Sequence, residues 1–198
     1  SPMPRFLALG DSYTIGEGVP EADRWPNQLV RRLGAEGIRL GAAEVVAVTG
    51  WTTADLAAGV EAAAPEGPFD LVTLLIGVND QYDGVGLGDY RLRVADLLNR
   101  AVAFAGGEPG RALAVSIPDW SVTPFAEARD RDEIARQIDA FNAAFRTEAE
   151  ARGIRWVDIT PLTRTKGRRV VDDGLHPNAE AYAAWVDLIL PDARSALA

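Results

Sequence analysis

Five residues scattered along this chain have the types an acyl transfer would need: Ser12, Gly50, Asn79, Asp173 and His176. Serine is a weak nucleophile near neutral pH and works only when a base takes its proton. His176 is the only histidine among the 198 residues. Imidazole, with an ordinary pKa of about 6.5, is the natural base at that pH, and it works best when a carboxylate fixes its tautomer. Asp173 stands three residues earlier in "DGLHPN", where Gly174 permits a tight turn and Pro177 restricts the chain beyond. A tetrahedral oxyanion then requires donors. The N–H groups of Ser12 and Gly50 and the side-chain amide of Asn79 are the candidates, with glycine at position 50 leaving an acyl group room to approach.

These residues are far apart in sequence, so the elements must gather them. Short apolar runs, "RFLALG" at 5–10, "EVVAVTG" at 44–50, "FDLVTLLIG" at 69–77, "RALAVSI" at 111–117 and "GIRWVDI" at 153–159, read as strands buried on both faces. Helical patterns alternate with them. Val94, Leu97, Leu98, Ala101, Val102 and Ala105 form one apolar stripe, and Ile134, Ile138, Phe141 and Phe145 another. Further helices are predicted from about Trp25 to Glu36, from about Thr53 to Ala64, and from an N-cap at Asn178 through Tyr182, Trp185 and Ile189. Five strands each followed by a helix imply a five-stranded parallel sheet in a three-layer α/β/α sandwich, flavodoxin-like in kind. Ligands in such folds bind beyond the carboxyl ends of the strands, where all five candidates fall.

Length and composition agree with one domain over 3–198, with 47% apolar and 25% charged residues. A net charge of −9, from 20 basic and 29 acidic side chains, argues against nucleic acid as a partner. The densest basic cluster, Lys166, Arg168 and Arg169, is short and followed by Asp172 and Asp173, and reads as a solvated loop. No apolar run approaches the roughly 20 residues of a membrane helix, so no membrane insertion is expected. There is no cysteine, which excludes disulfides and thiol catalysis. Ser1 and Pro2 read as a remnant ahead of the native start, and the strand pattern follows Met3 too closely for a secretory signal, so a cytoplasmic location is expected. Oligomeric state is left open.

The motifs themselves resemble those of the SGNH hydrolases, also called the GDSL esterase/lipase family. "GDSYTIGEG" resembles the family's nucleophile block, "VTGWTT" its glycine block, "GVND" its G-x-N-D block and "DGLH" its D-x-x-H block, in the family's order over residues 10–176. The resemblance implies ester hydrolysis of a small-molecule substrate without cofactor or metal. It also implies Ser12 as nucleophile, His176 as general base and acid, Asp173 as the orienting carboxylate, and Ser12, Gly50 and Asn79 as the oxyanion hole. Two positions depart from the pattern: Tyr13 replaces the leucine of the family name, and Val48 stands where many members have asparagine. The first stretch is not a G-x-S-x-G elbow, because Thr14 stands two places after Ser12.

Other readings compete. Asp11 and Asp80 flank the candidates and invite a metal or glycosidase reading, though roles in holding the turns are favoured. "GVGLG" at 84–88 superficially matches a dinucleotide loop but follows no strand directly. Acetylated sugars or thioesters suit the same machinery, and a flavodoxin-like binding module would use "GDSYTIGEG" to cradle a phosphate. Tyr13, Trp51, Tyr82, Trp120 and Phe125 fall on the loops expected around the site, and together predict an apolar pocket for a short acyl or aryl group.

Overall fold

A computed structural model describes residues 2–165 and 169–198. Lys166 and Arg168 of the expected solvated loop lie outside them, as does Ser1, while Arg169 pairs with Glu180 at 3.1 Å. Five strands, β1 (Phe6–Gly10), β2 (Ala43–Ala47), β3 (Leu71–Leu74), β4 (Ala112–Val115) and β5 (Arg155–Val157), form one sheet in the order β2-β1-β3-β4-β5. All neighbours are parallel. Every residue of the three central strands is buried, which is why their sequences are almost wholly apolar, Thr73 being the exception. The two edge strands carry the exceptions, among them Glu44, bonded to Arg5 at 2.9 Å, and Arg155.

Helices α2 (Trp25–Ala35) and α8 (Ala179–Leu197) pack together on one side of the sheet, and α3 (Thr53–Ala63), α5 (Leu87–Phe104) and α6 (Arg131–Ala151) on the other. The expected three-layer sandwich is therefore the observed one. Its strand order reverses between β1 and β3, the switch point at which a flavodoxin-like sheet opens a crevice. Ser12 follows β1 and Asn79 follows β3, so both stand at its mouth.

The apolar runs overshoot the strands. Ile76 and Ile117 are as buried as the strands before them, but lie beyond the strand ends, in the loops that build the crevice, whereas the Leu75 N–H still donates to the Leu9 carbonyl at 3.1 Å. The segment 77–89, expected to be a connection, holds a short helix α4 (Val78–Tyr82) and the start of α5. Two 3₁₀ turns, Trp120–Val122 and Pro124–Ala126, shape the loop after β4, and a short helix α7 (Thr160–Thr165) follows β5. No helix among the described residues is long and apolar enough to cross a membrane.

Candidate active site

Ser12 opens a one-turn helix, α1 (Ser12–Ile15), directly beyond β1. Asp11 caps that turn by accepting the Tyr13 N–H at 2.9 Å, which swings the serine out of the strand line. Ser12 Oγ lies 2.9 Å from His176 Nε2, and His176 Nδ1 lies 2.5 Å from Asp173 Oδ2. The sequence separation of 164 residues is closed by the chain after α7, where Val170 bridges Pro177 and Gly174, at φ 70°, makes the turn. The other oxygen of Asp173 accepts the N–H groups of Leu175 and His176 at 2.8 and 2.9 Å, so the carboxylate and the ring form one fixed unit. Partial burial opposes ionisation of Asp173, but the His176 ring and these two N–H groups outweigh it and hold its pKa below the ordinary carboxylate value.

The G-x-N-D block ties two crevice loops together. Asn79 Nδ2 donates to the Trp51 carbonyl at 2.9 Å, and Asp80 accepts both the backbone N–H and the hydroxyl of Thr53, at 2.9 and 2.7 Å. Thr53 is the first residue of α3, so Asp80 sits at the helix end where a carboxylate is favoured. Thr52 and Asp55 complete a capping box there. One amide hydrogen of Asn79 is thus committed to holding the Gly50–Trp51 turn, and the other is free to donate. Gly50 has φ 89° and a Cβ there would meet no protein atom within 4 Å, so backbone conformation rather than space calls for glycine. Val48 closes the same turn through its carbonyl, which accepts the Trp51 N–H at 3.2 Å.

Asp11 and Asp80 have the structural attachments expected of them. Asp11 is completely buried and its Oδ2 has no partner. Burial, helped by the nearby charge of Asp80, pushes the Asp11 pKa up to about 7 against the Tyr13 hydrogen bond, and burial also raises that of Asp80. Between an ordinary value of 3.8 and about 7 the folded chain therefore holds a proton on Asp11 that the unfolded chain has lost. Stability contributed by this group falls as pH rises through that window and levels off above it. Asp11→Asn should remove that slope: the difference in unfolding free energy between variant and wild type, measured by urea titration at pH 4.5 and 7.5, should shift in favour of the variant at the higher pH. Equal differences at both pH values would refute this.

A cavity of about 210 Å3 lies over the Ser12–His176 pair. Ser12, Asn79 and His176 form its polar side, and Tyr82, Trp120 and Phe125 face them. Of the five pocket candidates Tyr82 and Phe125 line it with exposed rings, 50% and 40% accessible, and Trp120 lines it as a buried ring. Tyr13 borders the cavity but is buried, its ring 5.8 Å from that of His176 and 5.9 Å from that of Trp185. Trp51 and Gly50 lie outside the lining. The Trp51 indole packs on α3 where Gly59 has no side chain, so close that a Cβ there would meet it at 2.2 Å. Leu175 and Val78 also line the cavity and were not singled out from the sequence, although Leu175 sits inside the "DGLH" motif. Among the described residues no three His, Cys, Asp or Glu side chains are grouped to hold a metal ion.

Residues 8–184 match the GDSL-like lipase/acylhydrolase family. The chain belongs to that family. The GDSL-like esterase Rv1075c of Mycobacterium tuberculosis is 30% identical over 207 aligned positions, covering 97% of this chain, which spans 62% of that relative's length. Among solved structures TesA superposes with a TM-score of 0.78 at 21% identity, over 98% of this chain and 99% of that one. A variant of Axe2, an acetyl xylan esterase from Geobacillus stearothermophilus, superposes with a TM-score of 0.73 at 19% identity, over 97% and 95%. These likenesses establish the GDSL-like fold, and the family membership bears out the resemblance carried by the four motifs.

Proposed function

We propose that this GDSL-like protein is a serine esterase, built as a single catalytic domain, that hydrolyses small acyl or aryl esters through an acyl-enzyme. The observation that carries the reading is the unbroken contact from Ser12 Oγ through the His176 ring to Asp173 at the floor of an apolar cavity. The Ser12 oxygen attacks the ester carbonyl while its proton passes to His176 Nε2, and Asp173 stabilises the imidazolium that forms. The carbonyl electron pair moves onto oxygen, then returns as the alcohol leaves with the proton from His176. Water, deprotonated by the same nitrogen, repeats the sequence on the acyl-enzyme and releases the acid.

The oxyanion is assigned to the N–H groups of Ser12 and Gly50 and the uncommitted hydrogen of Asn79. In support, neither of those two backbone N–H groups has an acceptor among the described residues. Asn79→Ala should lower kcat by about 10²–10³-fold with a much smaller change in KM, as expected for a donor that bonds the transition state more strongly than the substrate. A drop below threefold would remove Asn79 from the oxyanion hole.

Acetylated sugars and thioesters offer the same carbonyl chemistry, and Axe2 acts on acetyl xylan. The facing rings of Tyr82, Trp120 and Phe125 support the reading of an acyl or aryl group. Rates on p-nitrophenyl esters from acetate to palmitate, compared with acetate release from an acetylated oligosaccharide and with acyl-CoA cleavage, test this reading. A flavin-binding role gives no reason for the Ser12–His176–Asp173 contacts.

A further inference from the structure

Three cavities meet at one side chain. Trp120 walls the 210 Å3 cavity over Ser12, a small space of about 30 Å3 beyond it bounded by Leu162 and Val170, and a groove of about 530 Å3 that runs along Gln137 and Ile134 of α6. Its indole is only 3% exposed, so it serves as a partition and not as an open surface.

The partition is held from several directions. Trp120 Nε1–H donates to Gln81 Oε1 at 2.8 Å, Gln81 Nε2 donates to Gln137 Oε1 at 2.7 Å, and Gln137 Nε2 donates to Glu133 Oε1 at 3.1 Å. This relay runs from the loop after β4 through α4 to α6. On the backbone side, Asp119 is fixed by Thr163, whose hydroxyl accepts its N–H at 3.0 Å, and by Arg164, whose Nε donates to Asp119 Oδ2 at 2.8 Å. The rings of Tyr82 and Phe125 lean on the indole at centroid distances of 5.7 and 5.9 Å, and the Arg129 guanidinium lies within 6 Å of all three rings. A side chain held by a hydrogen bond and ring contacts, with its neighbour Asp119 ion-paired to Arg164, does not swing aside at small cost. A cavity of 210 Å3 is also below the usual size of sites for drug-sized ligands.

We propose that Trp120 sets the acyl-chain limit of this enzyme, closing the end of the acyl cavity, and that Gln81 is the positioning residue that keeps it closed. The proposal rests on the esterase reading. A short acyl group fills the space in front of the indole. A longer chain meets it, and only removal or displacement of the ring joins the acyl cavity to the two spaces beyond. Gln81 holds the ring through the indole N–H: without its carbonyl the buried donor loses its acceptor and the ring its fixed seat.

The test is kcat/KM for p-nitrophenyl acetate, butyrate and octanoate in wild type, Trp120→Leu and Gln81→Met. Wild type should favour acetate or butyrate over octanoate. Trp120→Leu should raise the octanoate-to-butyrate ratio at least about tenfold, the scale on which pockets discriminate methylenes. Gln81→Met, which leaves the indole in place, should raise the same ratio by less. A wild type that prefers octanoate, or a Trp120→Leu enzyme slowed equally on butyrate and octanoate, overturns the proposal. Should Trp120→Leu fail to fold, Gln81→Met decides alone, and a wild-type ratio there overturns it. A wild type that hydrolyses none of the three esters defeats the esterase reading and this proposal with it, an outcome distinct from activity with an unmoved ratio.

Discussion

Ser12→Ala should lower kcat by about 10⁵–10⁶-fold while leaving the folded protein intact. The serine contributes a hydroxyl and one hydrogen bond to His176, at 2.9 Å, and nothing else in the core depends on that oxygen. Losing a hydrogen bond of this kind costs about 1 kcal/mol, so Tm should move by no more than about 4 °C in a chain of this size. Stopped assays on p-nitrophenyl butyrate with a parallel thermal melt check both halves. Wild-type turnover by Ser12→Ala would end the acyl-enzyme account.

Asp173→Asn is the second large effect. An amide keeps the size of the carboxylate but loses its negative charge, so the imidazolium formed during attack goes unstabilised and the ring can settle in the wrong tautomer. In a buried triad that costs about 10⁴-fold. The Asp173 side chain is 41% exposed, and water supplies part of the lost stabilisation, so a fall of about 10²–10⁴-fold is expected here. The pH profile adds a second reading. The folded pKa of Asp173 is depressed, so its carboxylate is fully formed above the ordinary value of 3.8 and is lost only as pH falls through the lower folded value. Loss of wild-type activity between pH 7 and about pH 5 therefore does not come from protonation of Asp173. An Asp173→Asn enzyme within threefold of wild type would show that the contact orients nothing.

Much of this was legible in the residues because the reaction needs particular groups and the sheet needs continuous apolar strands. Phe6–Gly10, Leu71–Leu74 and Ala112–Val115 are buried on both faces, and apart from Thr73 they meet that condition with apolar residues and glycine. Their ends were overestimated, since Ile76 and Ile117 are just as buried beyond the ladder, and hydrophobicity records burial and not hydrogen bonding. The short helix at Val78–Tyr82 left no periodic trace, five residues being too few to show one.

Loop aromatics were the harder part, because the direction of a loop side chain is decided by distant partners. Trp51 turns away from the cavity into the gap left by Gly59 on α3. Tyr13, in the position of the family's leucine, packs between the His176 ring and Trp185, which lies far along the chain on α8. Gln81 sits immediately after the G-x-N-D block, yet its importance appears only when Trp120 and Gln137 are brought to either side of it.

The central claim is that Ser12, activated through His176, is the nucleophile. Incubation with a fluorophosphonate, followed by digestion and mass mapping of the modified peptide, tests it most directly, because the reagent forms a bond only with an activated hydroxyl. The account predicts a single adduct on Ser12, absent from Ser12→Ala and strongly slowed in His176→Ala. An adduct on any other serine, or an unlabelled protein under conditions that keep it folded, would contradict it.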